Sequence, residues 1–219
     1  MFRPIRTLLT TLLFLGSVPL FAADPALDRV TLENTMSDTS VPSEQRMEAV
    51  CALFDVATEA SVPAVMAMLE VDLEERHGFW ACAIPLLGKI GDRRAVPQLR
   101  LIGDLREEHL AGMDHMAISA LAAMAGPEDV AYLEPKAFIF AVRTDVIMAL
   151  ARIAAPSSVE VLITGLDEGE EPEVIAAATQ GLIAIGADAL GGLDGFATND
   201  DRLMAVRARD IAETIRATK

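Results

Sequence analysis

A leucine returns at nearly fixed intervals along this chain, and that recurrence limits the possible folds more than any other feature. Leu53, Leu87, Leu121, Leu150 and Leu182 lie 34, 34, 29 and 32 residues apart. Each stands in an apolar run: EAVCALFDVA from Glu48, CAIPLLGKIG from Cys82, MAISALAAMA from Met116, DVIMALARIA from Asp145 and AATQGLIAIG from Ala177. About one turn after each leucine comes Val56, Ile90, Met124, Ile153 or Ile185, and then a small residue: Ala57, Gly91, Ala125, Ala154 or Gly186. Apolar positions three and four apart share one face of a helix. A second, shorter pattern follows, in SVPAVMAML, AVPQLRLI, PEDVAYL and PSSVEVLITGL, which align on Val62, Val96, Val130 and Val159. Pro63, Pro97, Pro127 and Pro156 stand near the start of that pattern, where a missing N–H costs a helix nothing. Thr58 and Asp92 occupy capping positions ahead of it. The unit is therefore two antiparallel helices. A single pair cannot bury its apolar face, so the pairs must stack on one another into a solenoid.

The composition fits that reading. Hydrophobic residues make up 52% of 219 and aromatic residues only 5%, which suits a core of Ala, Leu, Ile and Val and excludes a disordered chain. Against 18 Lys and Arg stand 33 Asp and Glu, for a formal charge of −15. Nucleic-acid and anionic-membrane binding both need the opposite sign. Residues 1–23 have a basic start at Arg3 and Arg6, an apolar stretch from Leu8 to Leu15 and small residues at Ala22 and Ala23, the pattern of a secretory signal peptide. Its removal takes away two arginines and no acid. No further run of about 18 apolar residues is evident, so no membrane span is expected after cleavage. Residues 24–42 are expected to supply an N-terminal helix and a loop, and residues 43–216 the repeats. Export permits disulfides, so Cys51 and Cys82 are either a pair or two small buried residues.

The strings LLGKIGDRRAVPQL at 86–99 and AVRTDVIMALARIA at 141–154 resemble HEAT repeats, specifically the short type found in phycobilisome-lyase-like proteins. The resemblance spans about residues 43–193 and implies an all-α, right-handed α-solenoid of five to six helix pairs. The Val-Arg pair that opens the second helix in that pattern survives at Val142–Arg143 but not in most units, and GADALGGLDGF at 186–196 is irregular, as terminal units often are. Two families with this architecture are enzymes. Bilin lyases act on chromophores that an exported chain would not meet. Deoxyhypusine hydroxylases build a di-iron site from His-Glu dipeptides, and this sequence contains none.

Three groups of residues are candidate sites. DLEERH at 72–77 and DLREEH at 104–109 repeat one another, so Asp72, Glu75 and His77 correspond to Asp104, Glu107 and His109. In stacked units they would line one edge, suited to a divalent metal or a basic peptide, or they are turn chemistry at helix ends. Asp167 and Glu170 echo the pattern without a histidine. Met113, His115 and Met116 offer soft ligands for copper, or are core residues. Arg93, Arg94 and Arg100 form a basic cluster suited to an acidic partner, or are solvated ion pairs. The uncharged faces of the third to fifth long helices either expose an apolar stripe for protein binding or bury it by close packing. No serine-hydrolase, zinc-protease or phosphate-loop motif is present, and no catalytic residue or cofactor is expected. The expectation is a non-enzymatic scaffold that binds a protein partner, exported and periplasmic if the source is Gram-negative. The competing readings are a copper- or zinc-binding protein and an enzyme of lyase or hydroxylase type on the same scaffold.

Overall fold

The computed structural model describes residues 25–75, 77–105, 112–198 and 202–218. Helix α1 (Pro25–Ser37) opens the chain. Five helix pairs follow: α2 (Ser43–Ala52) with α3 (Val62–Glu75), α4 (Trp80–Ile90) with α5 (Val96–Gly103), α6 (Met113–Met124) with α7 (Val130–Leu133), α8 (Arg143–Ile153) with α9 (Val159–Thr164), and α10 (Pro172–Ile185) with α11 (Leu190–Phe196). Helix α7 runs on as a 3-10 segment, Glu134–Phe138, and α12 (Arg202–Ala217) closes the array. There is no strand among the described residues.

The recurrent signals translate directly into geometry. All five leucines are completely buried. The small residue after each run serves a turn. Gly91, Ala154 and Gly186 adopt positive φ (75°, 54° and 70°), whereas Ala125 turns the chain in extended conformation. A one-turn 3-10 segment then leads into each second helix, at Glu59–Ser61, Arg93–Ala95, Pro127–Asp129, Pro156–Ser158 and Gly186–Ala189. The Thr58 hydroxyl accepts from the Ala60 N–H at 3.3 Å and the Asp92 carboxylate from the Arg94 N–H at 2.9 Å, so both expected caps are in place.

The first helices neighbour one another in chain order, α2 on α4, α4 on α6, α6 on α8, α8 on α10 and α10 on α12, with α1 covering α2 and α3. One core runs from Met36 to Ile215. The fold is thus an all-α solenoid of stacked pairs, the architecture of HEAT-type repeats.

Close approach between successive first helices rests on two positions beside the leucine. The residue after Leu87 is Gly88, where a Cβ would lie 2.9 Å from the Ala120 Cα, and Ala120 precedes Leu121. The residue before Leu182 is Gly181, where a Cβ would lie 2.7 Å from the Ala151 Cα, and Ala151 follows Leu150. Ala122 and Ala149 hold the same positions between α6 and α8. Between α2 and α4 these positions are Phe54 and Leu86, too large for such contact. There a disulfide joins Cys51 to Cys82 across the two helices. Of the two alternatives left open by the sequence, the structure takes the covalent one.

The stretch from Pro172 to Phe196 is long and apolar enough to cross a bilayer by length and composition, which the reading of the sequence passed over. In the fold it is two elements, α10 and α11, interrupted at Gly186, and both pack against α9 and α12. Its apolar content is that of a repeat whose Val174, Ala178, Gly181 and Leu182 face the core.

Candidate protein-docking surface

The repeats consume their own cations. Every lysine and arginine whose side chain is described has a partner within the chain, and most donate to a backbone carbonyl of a neighbouring element. Arg46 Nε donates to Met36 O at 2.9 Å, Arg94 Nη2 to Glu59 O at 2.7 Å, Arg93 Nη1 to Met124 O at 3.1 Å, and Arg152 to Ala122 O and Ala125 O, each at 3.1 Å. Lys89 reaches Phe54 O, and Arg207 reaches Leu166 O. Carbonyls at a helix C-terminus lack intrahelical donors and carry the negative end of the dipole, so a cation from the next unit satisfies both. Arg143, the surviving arginine of the Val-Arg pair, donates to Ala137 O and Thr164 O and pairs with Glu170.

The expected basic cluster is the clearest case. Arg93 and Arg100 both donate to the carboxylate of Asp129, which is fully buried in the third unit and also accepts from the Gly126 N–H at 2.8 Å. Burial pushes the Asp129 carboxyl up, but hydrogen bonds from Arg93, the Gly126 N–H and Arg100, with the nearby Arg93 charge, outweigh it and hold the group below its ordinary range. Arg94 pairs with Asp92 and reaches back to Glu59 O. These three arginines bind unit to unit. Nothing within a single repeat reveals this, because Asp129 meets its arginines only after the units have stacked.

The two acid-and-histidine turns hold their aspartates in different environments. Asp72 is 1% exposed, and its oxygens accept from the Gly78 N–H at 3.0 Å and the Trp80 N–H at 2.9 Å, fastening the turn that starts α4. Asp104 is exposed and pairs with Lys136 at 2.6 Å. The His77 ring lies 5.3 Å from that of Phe79. The side chain of Glu75, and all of Glu107 and His109, lie outside the described residues. The His/Met group is divided by helical geometry, since positions two apart face different ways. Met113 is 1% exposed in the core, Met116 packs against the core, and His115 stands 3.7 Å from Asp114. Among the described residues no three His, Cys, Asp or Glu side chains gather as a metal would require.

Two concave surfaces lie on the third to fifth units. A groove of about 720 Å³ crosses α6, α8 and α10, floored by Ala122, Ala149 and Gly181 and edged by Met148, Gln180 and two charged residues, Asp145 and Arg152. This is the uncharged stripe of the long helices: close packing buries its floor, and Met148 remains exposed above it. A pocket of about 560 Å³ lies among the second helices, between the 3-10 end of α7, α9 and α11. Phe138 on its wall is 67% exposed, and Phe140 beside it is 95% exposed. In a chain so poor in aromatics the triplet Phe138-Ile139-Phe140 was the signal available for this surface, and reading the repeats alone passed over it. Asp145 on the groove and Glu160 on the pocket are exposed and make no ion pair among the described residues, and the same holds for Glu168, Glu171, Glu173 and Asp188 elsewhere on these units.

No protein-family profile matches the chain, and no curated protein matches it. Among solved structures it is similar to human deoxyhypusine hydroxylase in complex with glycerol, at 16% identity and a TM-score of 0.42, over 89% of this chain and 98% of that one.

Proposed function

We propose that this chain is a non-enzymatic, exported scaffold that docks a basic protein partner. The observation that carries the reading is the internal use of its cations. With the described lysines and arginines tied to carbonyls and carboxylates of the stack, the charge left for a partner is acidic: Glu134 and Glu160 on the pocket, and Asp145 on the groove, where Arg152 is engaged by the Ala122 and Ala125 carbonyls. A preformed surface binds without the ordering cost that a flexible one incurs. Opposite net charge steers encounter and selects partners more than it sets affinity. The repeats are read as the short phycobilisome-lyase-like type on residues 86–99 and 141–154. Export is read from residues 1–23, which lie outside the described residues, and the disulfide between Cys51 and Cys82 supports an oxidising compartment.

The test is in-cell crosslinking followed by capture of the tagged chain from the exported fraction, repeated at 50 and 300 mM salt. The reading requires one dominant partner with an isoelectric point well above that of this chain, released as salt rises. A dominant partner that is acidic, or one retained equally at both salts, would reject it.

A further inference from the structure

The pocket between α7, α9 and α11 has a feature that folding does not explain. Helix α11 is seven residues long and carries Gly191, Gly192 and Gly195. Gly192 is required by packing, because a Cβ there would lie 2.7 Å from Val159 Cγ1. Gly191 and Gly195 are not: a Cβ at either would meet nothing within 4 Å, and neither has positive φ. Glycine in place of alanine costs a helix about 1 kcal/mol, so two bare positions weaken a short helix with no return to the fold. Both line the pocket. Bare backbone at a concave surface lets another group approach closely.

What the pocket would accept follows from its walls. Phe138, Val161, Ile163 and Phe196 make them apolar. Among the described residues, Glu134 and Glu160 are the charged groups on the lining, with no lysine or arginine beside them. Glu134 is held in place by the Ser158 hydroxyl, which donates to it at 3.0 Å. Glu160 is exposed and unpaired among the described residues. The volume of about 560 Å³ holds one large side chain and its neighbours rather than a folded element.

We infer that this pocket is the anchor point for a partner segment in which an aromatic or long aliphatic side chain is flanked by lysine or arginine. The apolar side chain seats over Gly191 and Gly195 against Phe138 and Phe196, and the flanking cations meet Glu134 and Glu160. The inference rests on the scaffold reading above and adds a location and a recognition chemistry to it. A buried aromatic anchor with a charged rim is the arrangement that concentrates binding energy at protein interfaces.

The probe is a fluorescein-labelled pentapeptide of one tryptophan flanked by two lysines on each side, titrated with the full chain and followed by fluorescence anisotropy. An analogue with alanine for tryptophan is the control. The pocket predicts at least tenfold tighter binding of the tryptophan peptide. It predicts loss of that margin in Gly195→Leu, which fills the pocket from a position facing open space, and in Phe138→Ser, whose side chain is already exposed. Glu160→Lys should weaken both peptides several-fold. Equal binding of the two peptides, or a margin that survives in whichever of the two pocket variants keeps the wild-type melting temperature, would overturn the pocket assignment. Salt-sensitive binding of both peptides in that case would leave the scaffold reading standing. Binding of neither peptide at 50 mM salt would count against both. Concentration-dependent self-association abolished by Gly195→Leu would assign the pocket to a second copy of the chain and also overturn the inference.

Discussion

Two glycine-to-alanine substitutions ten residues apart should change stability in opposite directions. At Gly181 the new Cβ would lie 2.7 Å from the Ala151 Cα and 2.9 Å from the Ala151 carbonyl oxygen, both backbone atoms of α8. No rotamer relieves such a contact, so α8 and α10 must separate by several tenths of an ångström along a shared, close-packed seam. Overpacking of that kind costs about 1–3 kcal/mol, and the helix-propensity gain of about 1 kcal/mol offsets only part of it. The net loss should reach up to about 2 kcal/mol. At Gly191 nothing lies within 4 Å, so Gly191→Ala should keep the propensity gain and stabilise by about 0.5–1 kcal/mol. Urea unfolding of the two variants beside wild type gives both signs in one experiment. A domain of this size shifts by about 2–4 °C per kcal/mol, so thermal melts should diverge in the same directions. If Gly181→Ala proved as stabilising as Gly191→Ala, the backbone-to-backbone contact between successive first helices would be refuted, and the account of how the units stack would fail with it.

Three further outcomes follow from the same contacts. Replacing Cys51 and Cys82 together by serine should lower stability by about 3–4 kcal/mol, the chain-entropy value for a cross-link spanning 31 residues, and reductant should do the same to wild type; an unchanged urea midpoint in both cases would mean that the bridge does not hold α2 to α4. Asp129→Asn removes the charge that Arg93 and Arg100 share, and should cost about 2–3 kcal/mol, less than a fully buried pair because both arginines are partly exposed. The folded Asp129 titrates below its unfolded value, so its contribution is in place above about pH 4 and fades as pH falls through the folded value; below pH 4 the wild-type midpoint should therefore drop towards that of Asp129→Asn. Ala154 turns the chain at φ 54°, the one non-glycine residue with positive φ among those described, so Ala154→Gly should stabilise by about 1 kcal/mol in thermal melts, and a loss would show that the turn is unstrained.

The stack itself was legible because its determinants are local and repeated. A buried leucine, a small residue at the turn and a proline or capping residue at the second helix each act within one unit, and each kept its role at Leu150, Gly91 and Asp92. The sites were less legible because their determinants cross units. Arg93, Arg94 and Arg100 read as a basic patch in the linear sequence, yet their partners Asp129 and Glu59 belong to the following and preceding repeats. Asp72 and Asp104 share a sequence context but not an environment, since Asp72 turns inward to fasten the start of α4 and Asp104 faces solvent and Lys136. Gly191 and Gly195 looked like the irregularity of a terminal repeat. Only the open space beside them, set against the crowding at Gly192, separates glycines that packing demands from glycines that it does not.

Distances across the first helices test the central claim most directly. Nitroxide labels at the exposed positions Ala123 on α6, Met148 on α8 and Gln180 on α10 can be placed in pairs and measured by pulsed electron resonance. An open stack predicts backbone separations of about 10 Å for neighbouring helices and about 20 Å for α6 to α10, each broadened by the label arms. Three equal, short separations would describe a closed bundle, and would contradict both the stacking of the units and the surfaces built on it.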